Sequence, residues 1–280
     1  FKAFLLSAGR LRALPEKGFV ASCASVMKKR VDLPEKKYEG YIFDLDGTLV
    51  DSMPLHYKAW RKALARAGAP DRVFLADEFY SCGGKSANDV VRFLNERYGM
   101  HMDAASTAAD KRRIYLEMLE EEGMQPIREV VEFVHSLGDA PKAIATGSAM
   151  PGASRTLAAA GLSGLFDVIL TPDEVEHGKP APDMFLKAAE LLGASPDRCV
   201  VFEDAEPGME AAAAAGVKAL VCLSTDKAAY PINAMGASKA LMEKAALAKA
   251  ASLGPSRTRI TCTRCGNVMG TRGSVIPLFL

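Results

Sequence analysis

The sequence has no run approaching the ~18 consecutive apolar residues of a membrane-spanning helix, so no membrane span is predicted. Excess charge of one sign is also missing: 35 Lys+Arg stand against 34 Asp+Glu, a net charge of +1. Polyanion binders carry a marked basic excess, so nucleic acid and charged membrane surfaces are excluded as general partners. Cysteine is scarce, with six in 280 residues, too few for a disulfide scaffold. Cys199 and Cys222 lie in apolar runs and read as buried small hydrophobes. Cys262 and Cys265 form a lone CxxC without the second Cys/His pair that a structural zinc site needs. This usage fits a reducing, cytoplasmic compartment. Apolar residues are plentiful, 49% beside 25% charged. That is enough for a substantial core and too much for a disordered chain.

Residues 1–26 are basic and apolar without periodicity, and Arg10, Arg12 and Lys17 interrupt any signal-peptide core. Residues 1–37 are expected to be a disordered or non-native leader from an over-extended reading frame, with Met27 as the start. A transit peptide is the alternative. The apolar run 276–280 reads as a cut-off end.

Between the ends, Tyr41-Ile42-Phe43 is a short buried strand that breaks at Asp44 and Gly47. Helical periodicity follows over 54–67, 86–98 and 104–122, and this block reaches Gly138 without a strand signal. Strands are then predicted at 142–146, 166–170, 198–202 and 217–223, with helices between them. Such alternation predicts an α/β fold, a parallel sheet with helices on both faces. The expected layout is a catalytic core over 38–52 and 139–223, a helical lid over 53–138, and a separate segment over 224–280. Ligands of such sheets bind outside the carboxyl ends of the strands.

Those ends carry Asp44, Asp46, Gly47 and Thr48, then Thr146-Gly147-Ser148, then Lys179, then Glu203-Asp204. Four carboxylates packed together repel unless a cation neutralises them, and all-oxygen ligands select Mg²⁺. Lys179 and Thr146, with backbone N–H groups around Gly147, are left to hold an anion. A metal, an anion cradle and a free carboxylate describe phosphoryl transfer. Asp44 would attack phosphorus, and Asp46 would act as general acid and then base. Taken alone, a DxD of this kind also reads as a solvated turn.

Phe43-Asp44-Leu45-Asp46-Gly47-Thr48-Leu49-Val50-Asp51-Ser52 resembles the nucleophile motif of the haloacid dehalogenase superfamily. Thr146, Lys179 and Glu203-Asp204 match its other three motifs, with Gly178-Lys179-Pro180-Ala181-Pro182-Asp183 the most specific stretch. The resemblance spans about residues 38–222. It implies a Rossmann-like core with a small helical C1-type cap inserted after the first strand. It also implies Mg²⁺ held by the carboxylates of Asp44 and Asp204, the backbone carbonyl of Asp46, and Glu203 directly or through water. The acidic pair at 203–204 favours phosphate chemistry over dehalogenation. Within the superfamily, Asp51-Ser52-Met53-Pro54-Leu55-His56 is similar to the β-phosphoglucomutase and sugar-phosphate phosphatase branch. There His56 approaches the leaving sugar oxygen and couples cap closure to Asp46. Cys82-Gly83-Gly84-Lys85-Ser86 fits the cap's specificity loop, with Gly83 and Lys85 as substrate contacts beside Gly147 and Ser148. Ser86 or Ala87 stands where the mutase carries an arginine, which weakens a bisphosphate reading. Lys111, Arg112 and Arg113 read as a solvated helix face, with supply of the missing clamp charge as the alternative.

After Leu223 a second resemblance begins. Ser224-Thr225-Asp226-Lys227, then Met235 and Lys239, then Arg264-Cys265-Gly266-Asn267 are similar to NAD(P)-dependent nucleotide-sugar 4,6-dehydratases. Asp226 and Lys227 would be catalytic there, and Met235 with Lys239 stands where related enzymes carry a Tyr-x-x-x-Lys pair. No GxGxxG occurs anywhere in the chain, so the cofactor-gripping half is missing. The segment is expected to be an incomplete, non-functional fragment, with a loosely packed helix at 235–252 and poor order over 254–280. The sequence thus predicts a monomeric, Mg²⁺-dependent phosphatase for a small phosphorylated sugar or polyol. A hexose-phosphate mutase is the runner-up.

Overall fold

The computed structural model describes residues 38–82, 86–232, 234–253 and 258–265. The leader, residues 266–280, and the expected substrate contacts Gly83 and Lys85 lie outside these. Strands β1 (Gly40–Phe43), β2 (Lys142–Ala145), β3 (Val168–Leu170), β4 (Cys199–Glu203), β5 (Ala219–Thr225) and β6 (Arg259–Cys265) form one sheet in the order β3-β2-β1-β4-β5-β6. Every neighbouring pair is parallel. Strands so short and so apolar are stable only when both faces are covered. Alternation along β1 divides the core: Tyr41 and Phe43 enter the cluster on one face, and Ile42 enters the cluster on the other.

The first face is covered by α5 (Arg128–Ser136) and α6 (Met150–Ala159), the second by α7 (Asp183–Leu191) and α8 (Glu206–Ala214). The block after β1 contributes α1 (Met53–Arg66), α2 (Ala76–Ser81), α3 (Ala87–Tyr98) and α4 (Ala104–Glu122). It has a core of its own, in which Trp60, Leu64, Phe74, Phe79, Val91 and Leu94 meet. Ser86 caps α3 by accepting from the Asp89 N–H, and Asp103 caps α4 by accepting from Ser106. The last helix of the block, α5, packs on the sheet instead, with Val130 and Val134 beside Tyr41 and Phe43.

The segment after β5 departs from expectation. Helix α9 (Ala234–Leu253) places Met242 and Ala246 in the second core, and β6 pairs along all of β5, from Ala219↔Arg259 to Thr225↔Cys265. Residues 259–265 are therefore a sheet strand, not a poorly ordered tail. Without β6, the unpaired N–H and C=O groups of β5 would form an open sheet edge. Ile260 and Cys262 also supply the period-2 apolar face that the second core accepts. A half-open cleft of about 350 Å³, lined by Met209, Leu220, Met242, Ala246 and Ile260, lies between α8 and α9.

Candidate active site

Asp44 and Asp46 follow β1 directly, where the chain leaves the sheet. The Asp44 N–H still donates to the Phe202 carbonyl at 2.9 Å, extending the β1–β4 ladder by one residue. The chain then turns at Gly47, whose N–H donates to the Val50 carbonyl at 2.8 Å. Gly47 has φ +86°, and a Cβ there would lie 2.4 Å from Oδ2 of Asp204. Gly208, in α8, is constrained in the same way, since its Cβ would lie 2.1 Å from Oε1 of Glu203. Glycine at both positions lets backbone close in behind the carboxylates.

Asp44, Glu203 and Asp204 each offer a carboxylate oxygen, and these atoms lie within 4.8 Å of one another. Asp44 and Glu203 are buried. Burial, then the neighbouring Glu203, push the Asp44 carboxyl well above its ordinary range, against the opposing pull of Lys179. Burial likewise raises Glu203, with Lys179 opposing and Asp204 adding to the rise. The Lys179 Nζ donates to Asp44 Oδ1 at 2.6 Å and to Glu203 Oε2 at 3.0 Å. Burial disfavours its ammonium, but the two carboxylates outweigh that and hold it protonated. A hard, all-oxygen donor set in which Glu203 and Asp204 raise Asp44, and Asp204 raises Glu203, fits a divalent cation of the Mg²⁺ kind.

Asp46, two residues on, has a different environment. The Ser52 hydroxyl donates to its Oδ1 at 2.6 Å, the Ser148 hydroxyl donates to its Oδ2 at 2.6 Å, and His56 Nε2 lies 3.4 Å from Oδ1. Burial pushes this carboxyl up, but hydrogen bonds from His56, Ser148 and Ser52 and the histidine's charge bring it below the usual carboxylate range. Behind His56, Lys111 Nζ is 2.8 Å from Nδ1. The imidazole is stacked on Tyr115, with centroids 4.1 Å apart and planes 12° apart. Tyr115 is pinned in turn to Thr156 of α6 by a 3.0 Å hydroxyl pair. His56 is lowered by burial first and by Lys111 second. Burial also lowers the Lys111 ammonium, to about 8.

The expectations for this region therefore divide. Asp44, Asp46, His56, Ser148, Lys179, Glu203 and Asp204 come together. The Thr146 side chain is wholly buried, and its hydroxyl accepts from the Ser148 N–H at 3.0 Å, while Gly147 stands exposed beside it. Lys111 is not part of a solvated face: it points in at His56, while Arg112 and Arg113 are exposed. The missed signal was its spacing, since 111, 114, 115 and 118 fall on one helical stripe. A second lysine was also missed. Lys239 of α9 forms an ion pair with Asp204 Oδ2 at 2.7 Å.

Among known proteins, the family model of haloacid dehalogenase-like hydrolases matches residues 38–216. A model of a polysaccharide biosynthesis protein matches residues 203–280. The Escherichia coli K12 fructose-1-phosphate phosphatase YqaB is 37% identical over 186 residues, which are 66% of this chain and 96% of that protein. Hexitol phosphatase A of the same organism is 36% identical over 182 residues, 64% of this chain and 80% of that one. The second segment is similar to a Rickettsia massiliae UDP-glucose 4-epimerase, 59% identical over 76 residues, but these are only 22% of that protein and 27% of this chain. Among solved structures, a candidate β-phosphoglucomutase from Thermotoga maritima superposes with a TM-score of 0.54 at 29% identity, covering 67% of this chain and 86% of its own. Strand order, strand-end carboxylates and family match agree that this chain belongs to the haloacid dehalogenase-like hydrolases.

Proposed function

We propose that the protein is a Mg²⁺-dependent phosphatase that hydrolyses a small phosphorylated sugar or polyol through an aspartyl-phosphate. The observation that carries this reading is the contrast between two carboxylates two residues apart. Asp44 sits in the crowded acidic cluster against Lys179, whereas Asp46 is held by Ser52, Ser148 and His56. Two carboxyls with divergent environments have divergent roles.

Asp44, Glu203 and Asp204 would hold the metal ion, which supplies charge neutralisation for the phosphoryl oxygens and for Asp44 itself. Lys179 opposes the burial that disfavours the Asp44 anion, the metal ion would supply the rest of that neutralisation, and the ammonium would reach the same phosphoryl group. An Asp44 oxygen attacks phosphorus, and the bond from phosphorus to the ester oxygen breaks. Asp46 passes to that leaving oxygen a proton drawn from His56, whose Nδ1 takes one in turn from Lys111. Water then attacks the aspartyl-phosphate and loses a proton to Asp46, which returns it through His56 to Lys111. The phosphorus–Asp44 bond breaks, releasing inorganic phosphate and restoring the carboxylate. The N–H of exposed Gly147 would face the phosphoryl oxygens, and the buried Thr146 hydroxyl holds the turn beside it by accepting from the Ser148 N–H. The cap core over this point excludes bulk water and selects the alcohol.

The two phosphatase relatives support a sugar or polyol phosphate as substrate. The test is inorganic phosphate release from a panel of hexose, pentose and polyol phosphates, with Mg²⁺ and with EDTA, and with Asp44→Asn as blank. Mg²⁺-dependent release that is lost in the blank is expected. Isomerised product with a bisphosphate requirement, and no free phosphate, would transfer the assignment to a mutase.

A further inference from the structure

The cluster formed by Asp44, Glu203 and Asp204 receives a cation from a part of the chain outside the hydrolase match. Lys239 lies in α9, beyond residue 216. Its Nζ donates to Asp204 Oδ2 at 2.7 Å, to the Asp204 carbonyl at 2.6 Å and to the Leu223 carbonyl at 3.3 Å. All three ammonium protons are thereby used, which marks a built seat and not a passing surface pair. Only 20% of the lysine side chain and 14% of the aspartate side chain are exposed.

Lys239 is also held from one turn further along the same helix face. Glu243 accepts from the Ser224 hydroxyl at 2.6 Å and from Arg264 Nε and Nη2 at 2.8 and 2.6 Å. This buried carboxylate ties α9 to β5 and β6 at once. Residues four apart on a helix share a face, so fixing Glu243 aims Lys239 at the end of β4. Helix α9 also runs beside α2 of the cap. The second segment therefore touches both the acidic cluster and the cap.

We infer that Lys239 is a tethered counter-cation for the acidic cluster, so that docking of α9 and binding of the metal ion compete for Asp204. This inference rests on the reading of Asp44, Glu203 and Asp204 as the Mg²⁺ ligands. An ammonium and a divalent ion on one carboxylate repel each other. Binding the metal displaces the lysine or proceeds against its charge, and removing the lysine's charge strengthens metal binding. The coupling is reciprocal, so Mg²⁺ loosens α9 by the same factor.

The experiment is calorimetric titration of the full-length chain with MgCl₂ for wild type, Lys239→Met, Lys239→Gln and Asp204→Asn. Both lysine variants are expected to bind Mg²⁺ more tightly, by roughly 5- to 150-fold as is usual for coupled sites, and Asp204→Asn to lose the site. In parallel, hydrogen exchange over 234–253 in the unaltered chain is expected to accelerate when Mg²⁺ is added, a readout that needs no folded variant. Equal or weaker binding in the lysine variants, or α9 exchange that Mg²⁺ leaves unchanged or slows, overturns the inference while the metal site stands. Absence of Mg²⁺ binding in every protein overturns the metal-site reading and this inference together.

Discussion

A methyl group on Gly47 would lie 2.4 Å from Oδ2 of Asp204, so the turn after β1 and the acidic loop after β4 meet at a distance only glycine permits. This contact sets the spacing of the carboxylate cluster. Gly47→Ala adds left-handed strain of roughly 1–2 kcal/mol and pushes Asp204 away. The melting temperature is expected to fall by several degrees. Phosphate release is expected to fall much further, by about a hundredfold, because an ångström of misplacement at a reacting centre costs that much. Equal fractional losses of folded protein and activity would contradict a positioning role for Gly47.

Asp44→Asn is expected to reduce phosphate release to background and leave the fold intact. Burial and Glu203 raise the Asp44 carboxyl, so above the ordinary aspartate value its anion costs the folded state stability. The variant therefore melts at or above the wild-type temperature when Mg²⁺ is withheld. Thermal melts in EDTA beside the activity assay separate the two effects.

The Lys111 ammonium, lowered by burial to about 8, places an alkaline limb on activity. As pH rises through about 8, Lys111 loses the proton that it presents to His56, and turnover falls. Lys111→Met is expected to lower kcat and to flatten that limb. For stability the sign is opposite. Between about pH 8 and the ordinary lysine value near 10.4 the unfolded chain binds more protons than the folded one, so stability rises with pH in that window. A pH–rate profile and denaturant melts across pH 7–10 test both.

Glu243 holds α9 to the sheet. Glu243→Ala leaves Arg264 and the Ser224 hydroxyl without their shared acceptor and is expected to cost about 1–3 kcal/mol. The Arg264 hydrogen bond, opposed by burial and helped by Ser224, lowers the Glu243 carboxyl. Its stabilisation is therefore full above the ordinary glutamate value and is lost as pH falls below it through the folded value. Denaturant midpoints of wild type and variant should converge in acid, and a gap that persists there would sink this account.

The amino-acid sequence by itself determined five of the six strands of the sheet, four of the strand ends and the chemistry standing on them. The reason is local: a short apolar run that stops at Asp44, and others that stop at Thr146 and near Glu203-Asp204, place those groups at the carboxyl edge of any parallel sheet they form. Only the tertiary structure decided which distant cations and hydroxyls serve them. Lys111 is separated from His56 by 55 positions, Ser148 from Asp46 by 102 and Lys239 from Asp204 by 35. No periodicity within one element specifies which side chain of another it meets. The fate of the second segment was decided in the same way. Its missing Gly-rich loop is plain in the sequence, but β6 and α9 are held by what β5 offers, an unpaired edge and an apolar face, and neither exists until the hydrolase sheet has formed.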